Sequence, residues 1–243
     1  MVKTDFVASE QRTGREKLER DIALASSNAV IDGVLKTVGG QLVVLNSQRQ
    51  VIAVNDIFLK TVGIEDSDEI FGLRLGKVIG CIHADEEPDG CGTTKYCSSC
   101  GAAIAMVASL AANEPVERIC AAEVGRGETK TDLFLQVRAV PFSCEEERFL
   151  LIFIQDISRQ QQCAGEERLF FHDLKNVLGA LQGAADLLTM GSPDMSRRCG
   201  RLIRKLVYRL NCEIEMQRTL VLSGEHTYTP RLEDISVPGI LLD

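Results

Sequence analysis

His172 and Asn176 stand four residues apart, with Asp173 beside the histidine, in the string EERLFFHDLKN that runs from Glu166 to Asn176. On a helix, positions four apart share a face, so imidazole and amide lie one turn from each other. Phe170, Phe171, Leu174, Val177, Leu178, Leu181 and Leu188 fall mostly at steps of three and four on another face. His172 is therefore expected at the wet edge of an apolar stripe. A carboxylate bonded to one ring nitrogen fixes the tautomer and makes the other nitrogen the better nucleophile. The plainer reading is a boundary histidine with no chemistry.

A second constellation lies between Gly80 and Gly101. Cys81, Cys91, Cys97 and Cys100 follow the spacing C-x9-C-x5-C-x2-C, and His83 is within reach. A Cys-x-x-Cys turn directs two thiolates at one ion, and two more cysteines from the preceding loop complete a tetrahedron. Gly90, Gly92 and Gly101 allow tight loop geometry. Cysteines that merely fill a core would not sit in a loop this polar. Zinc is the expected metal and an iron–sulfur cluster the alternative, and His83 is able to replace Cys81. Cys120, Cys144, Cys163, Cys199 and Cys212 have no paired spacing and read as small buried hydrophobes or bystanders.

The chain has 243 residues, enough for one large or two small domains. A net charge of -8 argues against nucleic acid as a partner. The longest run of large apolar residues, Phe149 to Ile154, is far too short to span a bilayer. The first 20 residues have no apolar core for a secretory signal. A soluble cytoplasmic protein with no membrane contact is expected. Nine cysteines is an odd number, and with no secretion signal a disulfide framework is a poor reading.

The elements that position these residues follow from pattern. Ser9 to Leu35 predicts one helix, packed on its own domain or against a second protomer, and Gly39-Gly40 ends it. Gln41 to Leu45 and Gln50 to Val54 flank a polar turn and predict a hairpin, with a short helix from Asn55. Gly101 to Asn113 is an Ala-rich helix rooted on the last cysteine turn. Pro115 to Ala122, Thr129 to Phe142 and Arg148 to Gln155 read as strands, with turns at Gly125–Gly127 and Ser143–Glu147. From Arg159 one helix runs to about Met190, and Gly191-Ser192-Pro193 breaks it, with Ser192 as cap. A second helix continues to about Ser223, with Leu202, Ile203, Leu206, Leu210, Ile214, Gln217 and Val221 on one face. One helical hairpin cannot bury both stripes, so two copies are expected to pair as a four-helix bundle. Arg197, Arg198, Arg201, Arg204, Lys205 and Arg209 form a basic run on the second helix. It reads as a solvated face or, more sharply, as a docking patch for an acidic receiver domain.

The hairpin leading into Asn55-Asp-Ile-Phe58, the three long strands and the exit Asp156-Ile157-Ser158 together resemble a PAS domain over about residues 28 to 160. That resemblance implies an α+β fold with a five-stranded antiparallel sheet and helices. Phe171-His-Asp-Leu-Lys-Asn176 resembles the phosphoacceptor box of sensor histidine kinases, and residues 160 to 224 resemble their dimerisation hairpin. By resemblance, His172 is phosphorylated, Asp173 is the assisting base, and Asn176 positions water for phosphatase action on a response regulator. Val177-Leu178-Gly179 departs from the more common proline-containing continuation. The expected organisation is an N-terminal helix (1–27), a PAS-like sensor (28–158) with its cysteine-rich loop (80–101), a phosphoacceptor hairpin (159–224) and a tail (225–243). The tail, with a possible strand from Ile235 to Leu242, resembles the entry to an ATP-binding domain, but neither Asp-x-Gly-x-Gly nor an Asn-rich ATP box occurs. The resemblance implies the sensory part of a two-component histidine kinase, whose metal- or redox-linked sensor controls phosphorylation of His172. Whether the chain counts as an enzyme is left open, since ATP-Mg would act only through a kinase domain in cis or trans. The rival reading is a metal- or redox-responsive dimer that signals by contact, with His172 idle. An enzyme with a catalytic zinc in the cysteine loop is weaker still.

Overall fold

The computed structural model describes residues 12–126, 129–190 and 193–222. Two compact units divide after Gln161. The first contains helices α1 (Arg15–Ser27) and α2 (Ala29–Thr37), strands β1 (Gln41–Asn46) and β2 (Val51–Val54), and helices α3 (Asp56–Val62), α4 (Leu75–Val78) and α5 (Gly101–Ala112). Strands β3 (Val116–Arg126), β4 (Thr129–Cys144) and β5 (Glu147–Asp156) complete it. The strands form one sheet of order β2-β1-β5-β4-β3, antiparallel at every pairing. This is the α+β arrangement with a five-stranded antiparallel sheet expected from the sequence. Strand β3 runs past its predicted end at Ala122 to Arg126 because its pairing with β4 stays in register from Val116↔Ala139 to Arg126↔Thr129.

One face of the sheet carries the main core. Val43, Leu45, Val137, Leu150 and Ile152 pack there with Phe58, Ile70, Leu75 and Met106 from the connecting segments. Asn55 joins the layers. Its Oδ1 accepts from Leu42 N (3.0 Å) and Phe58 N (3.1 Å), and its Nδ2 donates to Gly40 O (2.7 Å). The first bond satisfies a strand end, and the second caps α3, a role usually worth about 1 kcal/mol. Asn-x-x-Phe thus makes structural sense: the amide caps the helix and the phenyl ring enters the core.

The other face is covered by the N-terminal helices. Leu18, Ile22, Ala25 and Ile31 pack with Val44, Ile52 and Phe149. The predicted single helix is corrected here, because it breaks at Asn28. That residue is extended (φ -83°, ψ 110°), and its side chain accepts from Val30 N and Ile31 N to start α2. Its amide also donates to Cys144 Sγ at 3.1 Å. Apolar spacing continues across the break, so periodicity alone reads one helix where a capping side chain makes two.

Helix α6 (Ser158–Met190) begins two residues after β5, and α7 (Pro193–Leu222) follows. The exit from the sheet is pinned: Ile157 N donates to Phe134 O (2.8 Å), and Phe134 N donates to Ser158 Oγ (2.9 Å). The described part of the second unit holds α6 from Gln162 and all of α7, helices of 33 and 30 residues in all, about 50 and 45 Å long. Shielded positions recur at steps of three and four: Phe170, Leu174, Val177, Leu181 and Ala184 on α6, then Cys199, Ile203, Leu206, Leu210 and Gln217 on α7. Leu169, Phe171, Leu178, Tyr208, Ile214 and Met216 are exposed. Among the described residues no helix is long and apolar enough to cross a membrane. The predicted cap at Gly191-Ser192, the Gly127 end of the β3–β4 turn and the predicted strand at 235–242 lie outside the described residues.

Candidate functional site

The cysteine-rich loop is fastened at both ends. At its start, Cys81 N donates to Gly76 O at 2.8 Å, and Cys81 bridges to Val124 of β3. At its finish, Cys97 lies in a 3-10 turn (Lys95–Ser98) and Cys100 is the N-cap residue of α5. Helix α5 approaches β3 so closely that a Cβ on Gly101 would overlap the Ile119 carbonyl. Gly76 is equally constrained, since a Cβ there would lie 2.5 Å from Cys91 Sγ. These two glycines bring the loop's thiols against the sheet.

The sulfurs meet as two pairs. Cys100 Sγ lies 3.5 Å from Cys120 Sγ, and Cys91 and Cys97 shift each other's ionisation in opposite directions. The bond from Cys91, helped by Thr94 and the Gly92 amide, holds Cys97 down at about 5. The bond from Cys120, helped by the amides of Ala103 and Ala102 that open α5, holds Cys100 down at about 6. Their partners move the other way: bonding to the thiolate and then burial push Cys91 and Cys120 well up. Cys81 is raised by burial. In each pair one thiol is favoured as thiolate and its partner as thiol.

The structure brings the four predicted ligands into one region but splits the Cys-x-x-Cys turn, since Cys97 faces Cys91 while Cys100 faces Cys120. Cys120, read from sequence as a small buried hydrophobe or bystander, is buried in the core and also lies beside Cys100. The signal that finds it is strand alternation: Val116, Cys120, Ala122 and Val124 occupy the inward positions of β3. His83 turns elsewhere, stacking on Tyr96 (3.8 Å between centroids) with Nδ1 2.5 Å from Glu86 Oε1. Among the described residues no group of three or more His, Cys, Asp or Glu side chains is disposed to hold a metal ion as it stands. For a metal to bind, the hydrogen-bonded pairs must open toward it.

Two arginines that sequence reading passed over lie against the same loop. Arg74 is 1% exposed, and its Nη1 donates to Cys91 O at 2.9 Å. Arg49 is 2% exposed, and its Nε, Nη1 and Nη2 are buried with no hydrogen-bond partner. Its guanidinium carbon lies 3.3 Å from where a Gly92 Cβ would be. Burial first, then repulsion from Arg49, holds Arg74 below the ordinary guanidinium range. Asp89 also acts on Arg74, favouring its charged form.

The thiol pairs set a pH dependence for the metal-free, reduced protein. Cys97 and Cys100 titrate at about 5 and 6 when folded, against an ordinary value of 9.0. Between those limits the unfolded chain binds more protons, so stability rises with pH and is lost as pH falls toward 5. Above 9 the sign reverses, because Cys91 and Cys120 keep their protons when unfolded thiols have ionised. The melting-temperature gap between wild type and a Cys97→Ser/Cys100→Ser variant should widen from about pH 5.5 to 8.5 and narrow above 9. A gap independent of pH contradicts the opposed shifts within the pairs.

On α6, His172 is 69% exposed at its side chain, as expected for the wet edge of the stripe. Its Nδ1 lies 3.2 Å from Asp173 Oδ1 and 3.3 Å from Asn176 Nδ2. One nitrogen cannot serve both: protonated it donates to Asp173, and unprotonated it accepts from Asn176. In the first state Nε2 presents its lone pair outward as a nucleophile. Buried Val177 and half-buried Leu174 anchor the opposite side of the helix. The basic run from Arg197 to Arg209 is exposed at all six positions.

A cavity of about 320 Å³ also lies in the first unit, where Val62, Ile79, Leu133, Leu135 and Ile154 meet the polar side chains of Gln41, Thr61, Thr129, Thr131 and Asp156.

No protein-family model matches the chain, and no curated protein does. Solved structures similar to it include the PAS domain of an HTR-like protein from Haloarcula marismortui. That likeness has 17% identity, covers 59% of this chain and 100% of that one, and has a TM-score of 0.36. The PAS domain of nitrogen regulation protein NR(II) from Vibrio parahaemolyticus is 14% identical, with 54% and 100% covered and a TM-score of 0.38. A LOV protein from Rhodobacter sphaeroides is 12% identical, with 85% and 99% covered and a TM-score of 0.36.

Proposed function

We propose that this chain is the sensory part of a two-component signalling histidine kinase, with His172 as phosphoacceptor. The observation that carries the reading is the exposed imidazole of His172, approached at Nδ1 by both Asp173 and Asn176. An acid that fixes the reactive tautomer and an amide one turn on are what reversible phosphorylation of a helical histidine requires. Asp173 orients the ring and takes up its proton's charge, and Asn176 positions water for dephosphorylation of the partner regulator. The ATP-binding kinase domain acts in cis or trans.

The sensor's input is a metal held by Cys81, Cys91, Cys97 and Cys100, with zinc favoured and an iron–sulfur cluster the alternative. When bound, the metal replaces the protons that now hold the thiols in pairs. Because Cys100 is the first residue of the α5 cap, a change there moves α5, then the sheet, then the pinned exit at Ile157 and Ser158. Exposed apolar residues on both long helices support their pairing with a second copy as a four-helix bundle. The exposed basic run fits the acidic pocket of a receiver domain. Transfer of labelled phosphate from ATP to this chain by an added kinase domain tests the reading, and an unlabelled chain ends it.

A further inference from the structure

We propose that Cys100 and Cys120 are a site of reversible oxidation, forming a disulfide that ties the start of α5 to β3 when a hydroperoxide reaches the loop. The inference goes beyond the metal reading above. It needs no metal, and it gives a role to Cys120, which is not among the proposed ligands.

Sequence spacing alone would pair Cys100 with Cys97, its neighbour in the Cys-x-x-Cys turn. The structure points Cys100 elsewhere. Cys97 Sγ is turned into the loop, 3.1 Å from Gly92 N and 3.2 Å from Thr94 Oγ1. Cys100 Sγ lies 3.5 Å from Cys120 Sγ. Backbone packing fixes this approach. A Cβ on Gly101 would overlap the Ile119 carbonyl and lie 3.1 Å from Cys120 N, so glycine is what lets Cys100 come so near β3. Sulfurs in a disulfide are about 2 Å apart, so closure asks each side chain to move by about 1 Å or less. Cys120 is 1% exposed in the core, and Cys100 is half-buried at the end of the loop. An oxidant from solvent therefore meets Cys100 first, and Cys120 resolves the product.

A hydroperoxide is the only co-reactant. With hydrogen peroxide, the Cys100 sulfur gives its proton to solvent and attacks one peroxide oxygen. The O–O bond breaks, leaving a sulfenic acid on Cys100 and a hydroxide that takes up a proton as water. The Cys120 sulfur then attacks Cys100 Sγ, the S–O bond breaks, and the departing hydroxide leaves as water with the Cys120 proton. The two sulfurs lose two electrons and the peroxide gains them. A thiol reductant reverses the bond by exchange. The linkage lies on a row that leads out of the sheet. Cys120 pairs with Leu135 and Leu135 with Asp156, two residues before α6 begins.

Hydrogen peroxide is the probe, added to the reduced chain in the presence of a chelator. Remaining thiols are then alkylated and tryptic peptides mapped without reduction. Wild type should yield the peptide carrying Cys100 joined to the peptide carrying Cys120, lighter by two hydrogens than the two apart. Dithiothreitol should restore both thiols. Trypsin cuts after Lys95 and Arg118, which leaves Cys97 and Cys100 on one peptide and Cys120 on the next. Variants therefore assign the sulfur: Cys97→Ser should keep the linked pair, while Cys100→Ser and Cys120→Ser should lose it below detection. Cys120→Ser should instead hold Cys100 as a sulfenic acid that dimedone traps. The wild-type map decides the matter even where a variant fails to fold. Both thiols still open to alkylation after peroxide, or Cys100 joined to Cys97, overturns the inference. A linked pair in a chain that binds no metal overturns the metal reading and leaves this one standing, and metal binding without linkage does the reverse.

Discussion

His172→Gln should abolish acid-labile phosphate on this chain while leaving its fold intact. Glutamine preserves size and polarity but has no nucleophilic ring nitrogen. The side chain is 69% exposed, so the change should cost under about 0.5 kcal/mol of stability. Label from ATP, supplied with an added kinase domain, should fall below detection, and far-ultraviolet circular dichroism should stay that of the wild type. The neighbours should separate by role. Asp173→Asn keeps a hydrogen-bonding group near Nδ1 but removes the charge, and should slow phosphorylation by about 100-fold. Asn176→Ala should leave labelling of His172 within a few-fold and slow dephosphorylation of the regulator instead. Label that persists on His172→Gln places the chemistry on another residue and refutes the assignment.

The second large effect belongs to the cysteine loop. Protein purified without oxygen should carry metal: zinc if colourless, iron and sulfide if it shows charge-transfer absorption. Cys97→Ser/Cys100→Ser should retain under one tenth of it, because each substitution removes the thiolate from one of the two sulfur pairs. Cys163→Ser is the control. Cys163 is exposed, lies outside the sulfur cluster, and should change nothing. Metal content unchanged in the double variant would mean that these sulfurs hold no ion. Cys120→Ser is more informative still. It removes the thiol facing Cys100, and a loss of metal there as large as in Cys81→Ser would place Cys120 among the ligands.

Much of this molecule is legible in its sequence because the responsible signals are local. Two β-branched runs around Asn46-Ser-Gln-Arg49 make a hairpin, and Asn55 caps the helix after it through its own side chain. The Asp156-Ile157-Ser158 exit is equally local in origin, since Asp156 Oδ1 accepts from Ser158 N at 2.8 Å. What sequence reading misses is tertiary. Cys120 comes beside Cys100 only because Gly101 lets α5 close on β3, a contact 20 residues apart along the chain. Arg49 looks like an exposed turn residue and is buried because the cysteine loop folds over it. The break at Asn28 is hidden by apolar spacing that runs through it. His172 is the opposite case. Its exposure and both its neighbours follow from helical geometry alone, and the structure reproduces them.

The central claim is that the state of the cysteine loop governs phosphorylation of His172. The most direct measurement compares rates of His172 labelling by an added kinase domain for metal-loaded protein, metal-free protein and Cys97→Ser/Cys100→Ser. The account predicts a difference of at least threefold between loaded and metal-free wild type, with the double variant indifferent to added metal. Equal rates in all three samples would contradict it.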